Sequence, residues 1–271
     1  MFITSFLMGG LGNQMFQISK ALCEGYENNI EVFFKPTSYI PMHGNQPSKY
    51  LNNIFRNVVF KNIDVSTERI YEQTWAYKKI DVMYFKPVEY YGYFQSSKNF
   101  GTHSEKIKDV FKPTEDFIEK IKIKYPQAFE NNSTSIHVRR GDYLTIQDIL
   151  PVVDKTYIDK CVGEIENIGP ILIFSNDKEW VRNNLNYKNS IIVDGLEDYE
   201  EMWLMSLCQN NILSNSSFSW WGSYLNKYIN KRVFAPSIWF GPNGEKNYED
   251  IYEDEWNKIN VKYKKGNLVY E

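Results

Sequence analysis

Two adjacent arginines stand out in the segment that begins at His137 and reads HVRRGD. A guanidinium carries forked donors that match phosphate oxygens, and it stays protonated at any working pH. Because side chains alternate along a strand, His137 and Arg139 share one face, whereas Arg140 points the other way or lies in the following loop. The segment therefore predicts a clamp for a pyrophosphate. The alternative is a pair of surface arginines that form salt bridges with Asp142 or another neighbour.

A second polar segment, Ser214 to Gly222 (SNSSFSWWG), places several hydroxyl groups at the start of a predicted helix. Such hydroxyls cap a helix, and they can equally hydrogen-bond a phosphate at the positive end of that helix. Capping needs only one serine, so Ser216 and Ser217 are candidates for phosphate binding. Trp220 and Trp221 favour a place in the core over a role as a ligand platform.

A glycine turn, Gly9 to Gln14 (GGLGNQ), follows a predicted strand and opens a predicted helix. Its backbone amides suit an anion or a sugar oxygen, and a purely structural turn is an equal alternative. The turn is not the dinucleotide fingerprint GxGxxG, because Met15 replaces the third glycine. Asn13 and Gln14 favour a functional role, since their side-chain amides are good ligands for hydroxyl groups.

Two acidic positions lie near predicted helix starts. In Phe174 to Asp177 (FSND), Asp177 either caps the next helix or accepts a hydrogen bond from a ribose or a base. Capping is the safer interpretation. The stretch Glu197 to Glu201 also begins a helix, where the dipole favours carboxylates, so we assign it no catalytic role.

Composition excludes several classes of function. The net charge is -3 and the pI is near 5.8, which argues against a nucleic-acid-binding surface. The sequence has no Asp-x-Asp, P-loop, His-Glu-x-x-His or Gly-x-Ser-x-Gly motif, so a divalent metal clamp has no obvious ligands. Aromatic residues make up 16% of the chain, which suits carbohydrate and nucleobase faces, although biased nucleotide composition is the favoured explanation.

The cysteines and the first residues bear on the compartment. Cys23, Cys161 and Cys208 are odd in number and widely spaced, which predicts neither a disulfide framework nor a zinc site and favours a reducing environment. Met1 to Met8 is apolar but short and lacks a basic leader, so we expect neither a signal peptide nor a membrane anchor.

The order of predicted elements is that of an α/β protein with parallel sheets. At 271 residues, two domains are expected. We place the boundary at the linker around residues 130 to 133, which gives an N-terminal α/β domain over 1–130 and a C-terminal α/β domain over 131–271. The predicted strands are 2–8, 30–34, 88–94, 134–138, 171–174, 191–193, 212–213 and 232–235, and the predicted helices are 13–26, 115–125, 155–165, 177–185, 198–208 and 217–228.

Taken together, these motifs resemble those of bacterial α-1,2-fucosyltransferases of glycosyltransferase family 11. The likeness spans nearly the whole chain, in the order GGLGNQMFQ from Gly9, GYFQS from Gly92, HVRRGD from His137, FSND from Phe174 and SNSSFSWWG from Ser214. It implies a GT-B-like fold of two Rossmann-like domains facing a central cleft. It also implies inversion at the fucose anomeric carbon, GDP-L-fucose as donor without a metal or other cofactor, and transfer to the 2-hydroxyl of a terminal β-galactoside.

The same resemblance implies roles for individual residues. The C-terminal domain would bind GDP-fucose and the N-terminal domain the acceptor, an oligosaccharide or a lipid-linked glycan. Asp142 is either the general base or a residue that orients Arg140. The implied donor-binding residues are His137 near the guanosine, Arg139 on the β-phosphate with Arg140 close by, Asp177 towards the nucleoside, and Ser216 and Ser217 at the pyrophosphate. Gly10, Asn13 and Gln14 would face the cleft from the N-terminal domain. The catalytic candidates are Arg139, Asp142 and Asn13.

Two other functions fit the same residues. One is a sugar-nucleotide-binding protein without turnover, and the other is another inverting fucosyltransferase such as a protein O-fucosyltransferase. The expected setting is host-glycan or surface-polysaccharide (O-antigen) biosynthesis in the cytoplasm, with peripheral association at the inner membrane as a further expectation. No nucleic-acid partner is expected.

Overall fold

The chain folds into two compact units. The computed structural model describes residues 1–37, 44–62 and 64–271. The N-terminal unit comprises Met1–Lys112 and Asn247–Glu253, and the C-terminal unit comprises Pro113–Lys246 and Asp254–Glu271. The boundary predicted after residue 130 therefore falls inside the C-terminal unit.

The N-terminal unit is built on a three-stranded parallel sheet with the order β1-β3-β2. The segment predicted as a strand over 30–34 makes only isolated bridges, from Val32 to Ile3 and from Phe34 to Phe60. The elements of this unit are β1 (Ile3–Ser5), α1 (Leu11–Asn28), β2 (Glu68–Tyr71), β3 (Val88–Tyr91) and α2 (Ser104–Phe111), with 3-10 turns at Pro47–Tyr50, Ser97–His103 and Glu249–Ile251.

Helix α1 begins directly after the glycine turn. Gly10 is its N-cap, and Asn29 ends it in the left-handed region with a φ of 53°, a conformation that asparagine adopts more readily than most residues. Met15, Phe16 and Ile18 on its apolar side are fully buried. The packing of this face holds the glycine turn at the carboxyl end of β1.

The C-terminal unit is built on a six-stranded, all-parallel sheet with the order β10-β9-β8-β4-β6-β7. A separate three-stranded sheet has the order β11-β12-β5. The elements of this unit are α3 (Glu115–Lys124), β4 (Thr134–Val138), β5 (Val152–Val153), α4 (Lys155–Gly163), β6 (Ile171–Ser175), α5 (Lys178–Asn184), β7 (Ser190–Ile192), α6 (Asp198–Leu207), β8 (Asn210–Ile212), α7 (Ser217–Tyr224), β9 (Val233–Pro236), β10 (Asn257–Ile259), β11 (Lys262–Lys264) and β12 (Asn267–Val269), with 3-10 turns at Pro126–Phe129 and Gly141–Thr145.

Helix α3 explains where the two units divide. The ring centroids of Phe117 and Trp203 lie 5.1 Å apart, and Ile121 is fully buried. The Lys120 ammonium forms a 2.6 Å ion pair with Glu200 of α6. Because α3 packs on α6, it belongs to the C-terminal unit although it precedes the predicted linker.

The strands at the centre of the C-terminal sheet are buried on both faces. Every residue of β4 and β6 is buried, as expected for a parallel sheet covered by helices. Ile136, Val138 and Ile173 belong to one apolar cluster with Ile158 of α4 and Val181 of α5. Both units are thus α/β with parallel sheets, as the sequence predicts.

Candidate functional site

The HVRRGD segment leaves the carboxyl end of β4, the strand between β8 and β6. In the β4–β6 register, His137 lies beside Phe174 and Val138 beside Ser175. Since these strands are parallel, the loops after β4, β6 and β8 leave the same edge of the sheet, which is where open α/β sheets bind ligands. The fold therefore brings three of the predicted segments, HVRRGD, FSND and SNSSFS, together in the C-terminal unit.

Arg139 and Asp142 form the first ion pair of this edge. An Arg139 terminal nitrogen donates to Asp142 Oδ2 at 2.8 Å, and Asn176 Nδ2 lies 3.4 Å from the other carboxylate oxygen. The Arg139 guanidinium also lies 5.3 Å from the ring centre of Tyr143. Arg139 Nε is buried and has no hydrogen-bond partner within the described residues. The pair therefore holds a guanidinium whose donors are only partly used.

Arg140 is bound more completely. Its Nε donates to Asp177 Oδ2 at 3.1 Å, its guanidinium lies 4.5 Å from the Trp180 ring centre, and only 13% of its side chain is exposed. Asp177 Oδ1 meanwhile accepts from the Trp180 backbone at 3.0 Å and caps α5, as predicted. The alternative of salt-bridged arginines thus describes Arg140 well. The expectation that Asp142 orients Arg140 is corrected, because Asp142 contacts Arg139 and Asp177 takes Arg140.

Gly141 allows the tight turn between these two ion pairs. Its φ is +44°, in the left-handed region, and a Cβ there would lie 2.4 Å from Asn176 Nδ2. Asn176 Oδ1 accepts from the Arg140 backbone at 2.9 Å. Asn176 therefore bridges the loops after β4 and β6, and a side chain at position 141 would displace it.

His137 is a buried, neutral imidazole. Its Nδ1 lies 2.7 Å from Ser214 Oγ, and its ring centre lies 5.4 Å from that of Phe218. Burial, and secondarily the charge of Arg139, lowers the pKa of His137 to about 3. At neutral pH this side chain can position a ligand by hydrogen bonding, but it carries no charge.

The serines after β8 lie at the start of α7. Ser216 caps α7 by accepting from the Phe218 backbone at 3.3 Å, and Ser217 begins the helix. Asn215 fixes the loop, since its Nδ2 donates to the carbonyls of Pro151 and Trp239 at 2.9 Å each.

The two tryptophans of this segment lie in the core and are not available to a ligand. Trp220 and Trp221 are fully buried. Their ring centroids lie 5.1 Å apart. The prediction that they belong to the core is confirmed.

The glycine turn belongs to the N-terminal unit. Asn13 Oδ1 accepts from Gln95 Nε2 at 2.8 Å. Gln14 is fully buried, and its Nε2 donates to the carbonyls of Gly9 and Asn45 at 3.0 and 2.8 Å. Both amide protons of Gln14 are thereby used within the fold, so Gln14 braces the turn, while Asn13 is half-buried and Gly10 has open space where a Cβ would stand.

The described residues contain no group of three or more His, Cys, Asp or Glu side chains that could hold a metal ion. Over the same described ranges, no helix is long and apolar enough to cross a membrane. All three cysteines are free and buried.

Comparison with known proteins assigns the family. The description "Glycosyl transferase family 11" matches residues 2–260, which is nearly the whole chain. The chain belongs to glycosyltransferase family 11. This family 11 protein is 30% identical to an Escherichia coli "Alpha-1,2-colitosyltransferase" over 93% of its own length and 97% of the relative's. It is 34% identical to the Escherichia coli "O-antigen biosynthesis glycosyltransferase WbnK" over 61% of the chain and 59% of that relative.

Solved structures resemble this family 11 transferase in fold. Fucosyltransferase NodZ from Bradyrhizobium has a TM-score of 0.54 at 11% identity, covering 82% of this chain and 91% of NodZ. A structure of NodZ α-1,6-fucosyltransferase soaked with GDP-fucose has a TM-score of 0.53 at 12% identity, with 83% and 91% coverage. At this identity the likeness speaks for the fold alone, and it confirms the predicted GT-B-like class.

Four residues of this family 11 site escaped the sequence reasoning, namely Tyr143, Asn176, Trp180 and Ser214. Asn176 and Ser214 lie inside motifs that the sequence singled out, so their polar side chains at strand ends were the available signal. Tyr143 and Trp180 carry no such signal. Their contacts with the two guanidinium groups depend on how the loops after β4 and β6 fold together.

Proposed function

We propose that this family 11 transferase moves L-fucose from GDP-fucose to the 2-hydroxyl of a terminal β-galactoside, with inversion and without a metal. The observation that carries the proposal is the partly paired Arg139 guanidinium at the carboxyl end of β4, held by Asp142 and backed by a buried, neutral His137. A guanidinium held in place at the carboxyl edge of a parallel sheet suits the binding of a diphosphate.

The donor would lie along the carboxyl edge of the C-terminal sheet. Arg139 meets the β-phosphate, and Ser216 and Ser217 at the start of α7 meet the pyrophosphate, where hydroxyl donors and the helix dipole act together. His137 lies near the guanosine. Arg140 and Asp177, which bind each other, serve this site by holding the loop after β6 in place.

The reaction is a single displacement. The acceptor 2-oxygen forms a bond to the fucose anomeric carbon as the bond from that carbon to the β-phosphate oxygen breaks, and the hydroxyl proton leaves to a base. Negative charge grows on the departing phosphate oxygen. Arg139 stabilises that charge because it is already oriented before the reaction begins.

Asp142 acts in this proposal as a positioning residue. Its two carboxylate oxygens face the Arg139 guanidinium and the Asn176 amide. This favours the orienting role over the general base.

A second donor is favoured by a specific comparison. The relative matched over 93% of the chain is named an α-1,2-colitosyltransferase. Colitose is L-fucose without its 3-hydroxyl, so the two GDP-sugars differ in one group. A site that hydrogen-bonds the 3-hydroxyl rejects the deoxy sugar strongly, about 10⁴-fold or more, whereas a site that leaves this group in water accepts both.

The test is product formation from GDP-fucose and, separately, GDP-colitose with lactose and other galactosides in EDTA, with the linkage read by NMR. An α-1,2-fucosylated product in EDTA supports the proposal. Product from GDP-colitose alone assigns the second donor. Activity that EDTA removes and a divalent ion restores contradicts metal independence.

Negative results also discriminate between functions. GDP binding without product from any galactoside favours the sugar-nucleotide-binding protein, and product on a folded protein acceptor favours a protein O-fucosyltransferase. Absence of GDP binding overturns the donor site. The relative WbnK is named for O-antigen biosynthesis, which supports the proposal that this enzyme acts in that process. We further propose that it acts at the cytoplasmic face of the inner membrane, with a lipid-linked glycan as one form of the acceptor.

A further inference from the structure

A cavity of about 550 Å³ lies in the N-terminal unit, outside the arginine site. Its walls come from residues 69–81 and from Phe94, Gln95, Ser96 and Asn99. The first wall continues β2 and the second follows β3, and these strands are parallel. The cavity therefore lies beyond the carboxyl ends of two neighbouring strands, the usual place for a ligand in such a sheet.

The wall after β2 has no regular secondary structure, yet side chains fix it at several points. Glu72 accepts hydrogen bonds from the backbone of Tyr93 and Phe94 at 2.7 and 3.0 Å. Asp250 accepts from the Tyr77 backbone at 2.7 Å and also binds the Lys98 ammonium. These contacts fix the wall of the cavity.

The same wall is anchored beyond the cavity. Tyr84 donates to Glu24 of α1 at 2.8 Å and lies 2.8 Å from the Tyr90 hydroxyl. Burial raises the pKa of both tyrosines, so both stay neutral hydrogen-bonding groups at any working pH. Residues 247–253, which belong to the N-terminal unit, contribute to the same wall because they include Asp250.

The lining combines an aromatic surface with uncharged polar groups. Trp75 stacks on Tyr93, with 5.6 Å between ring centroids and 28° between planes. Gln73, Thr74 and Gln95 also line the cavity. A sugar ring has one apolar face and a rim of hydroxyl groups, so it needs this combination of an aromatic surface and side chains that both donate and accept.

Charge in the lining is balanced. Glu89, which lies outside the lining, pairs with Arg69 at 2.7 Å, and the exposed Lys78 and Lys79 are then offset by Glu72 and Asp81. An anionic ligand would need an excess of fixed cations, which this lining lacks. A neutral ligand fits the balance better.

The cavity is connected to the glycine turn. Gln95, which lines it, donates to Asn13 Oδ1 at 2.8 Å. Gln95 also belongs to the GYFQS segment, a motif to which the donor site gives no role. From the cavity's position, its balanced charge and its stacked Trp75, we infer that it is the subsite for the terminal sugar of a neutral glycan acceptor, an inference that rests on the proposed function.

The test compares Trp75→Ala with Phe85→Ala. Phe85 lies on the same segment, is 82% exposed and does not line the cavity, which makes it a matched aromatic control. Binding of lactose to each variant is measured by saturation-transfer NMR in the presence of GDP, and GDP binding is measured separately by calorimetry. Trp75→Ala should weaken lactose binding at least about tenfold, or about 1.4 kcal/mol, with GDP binding unchanged and Phe85→Ala like the parent.

Two further variants keep the test informative if Trp75→Ala folds poorly. Trp75→Phe should retain most of the lactose binding because it keeps an aromatic face, and Gln73→Ala, at an exposed position, should weaken binding without affecting folding. In steady-state transfer assays, the effect should fall on the acceptor KM and leave kcat within about twofold.

The outcomes separate this inference from the proposed function. Lactose binding that depends on Trp75 supports the subsite even when no fucose is transferred. Equal binding by the parent, Trp75→Ala and Gln73→Ala overturns the subsite even when transfer is observed. A parent that binds GDP but no neutral galactoside overturns it as well.

Discussion

The two units place polar loops at the carboxyl edge of a parallel sheet in different ways. In the C-terminal unit the loops leave strands that are buried along their whole length, and they bind one another through Asp142, Asn176 and Asp177. In the N-terminal unit β2 is largely exposed, and the connection from β2 to β3 is long, irregular and fixed by side-chain contacts with Glu72 and Asp250.

This difference suits the two ligands proposed for the units. A diphosphate is the constant part of a donor, and a rigid, preorganised edge stabilises its charge best. An acceptor varies between enzymes, and a long loop changes sequence without disturbing a sheet. We therefore expect substitutions at the C-terminal edge to lower kcat and substitutions around the N-terminal cavity to raise the acceptor KM.

The largest effect should follow Arg139→Ala. Loss of a preorganised donor to the leaving phosphate should lower kcat about 10²- to 10³-fold, or about 2.7–4 kcal/mol in barrier. The measurement is kcat and acceptor KM for transfer, with Arg182→Ala, an exposed arginine of α5, as control. A variant with near-normal turnover would remove the main distinction between the units.

Asp142→Asn should have the next largest effect. It replaces a charged partner of Arg139 by a neutral one of the same shape, and hydrogen bonds to charged groups contribute about 1.5–3 kcal/mol. We expect kcat to fall about 10- to 100-fold while the acidic limb of the pH–rate profile stays unchanged. Loss of that limb in the variant would instead identify Asp142 as the general base.

The sequence predicted the C-terminal unit better than the N-terminal one for a physical reason. Strand β6 reads ILIFS and is buried throughout, and the predicted bounds of 171–174 miss only Ser175, because a strand buried on both faces is mostly apolar. Strand β2 reads ERIY and was not predicted, because an exposed edge strand needs no such pattern. The apolar run around Val32 predicted a strand over 30–34, but these residues form only isolated bridges.

The site shows a similar limit. Because the loops after parallel strands leave one edge of the sheet, the motifs at the strand ends predicted that Arg139, Arg140 and Asp177 lie near one another. Which carboxylate binds which arginine was not predictable, since it depends on how the loop after β6 approaches the loop after β4. The pairing of Asp142 with Arg139 is a tertiary contact that spacing alone does not determine.

A smaller effect should follow Asp250→Asn in the N-terminal unit. The change weakens the ion pair with Lys98 and loosens the hydrogen bond from the Tyr77 backbone, which together hold the cavity wall. We expect the acceptor KM to rise about two- to tenfold, corresponding to hydrogen bonds of about 0.5–1.5 kcal/mol. GDP affinity, measured by calorimetry, should not change. A fall in kcat with constant KM would contradict the division of labour between the units.

The smallest effect on transfer is expected for Glu201 of α6, which bears on stability and whose carboxylate interacts with the charges of Lys178, Asp194 and Asp198. Burial raises the pKa of Glu201 to about 7, and the nearby Lys178 offsets this only in part. Between the unfolded pKa of about 4.3 and the folded value, the folded protein binds more protons than the unfolded one, so stability should fall as pH rises through this window.

Glu201→Gln removes that proton linkage and should flatten the decline, which urea midpoints at a series of pH values between 5 and 8 would measure. Glu179→Gln, at an exposed position of α5, is the control and should decline like the parent. The result contrasts Glu201 with Asp142 and Asp177, two carboxylates of the same unit that are engaged by arginines. If Glu201→Gln and the parent decline in parallel, Glu201 does not carry the raised pKa and contributes nothing to the pH dependence of stability.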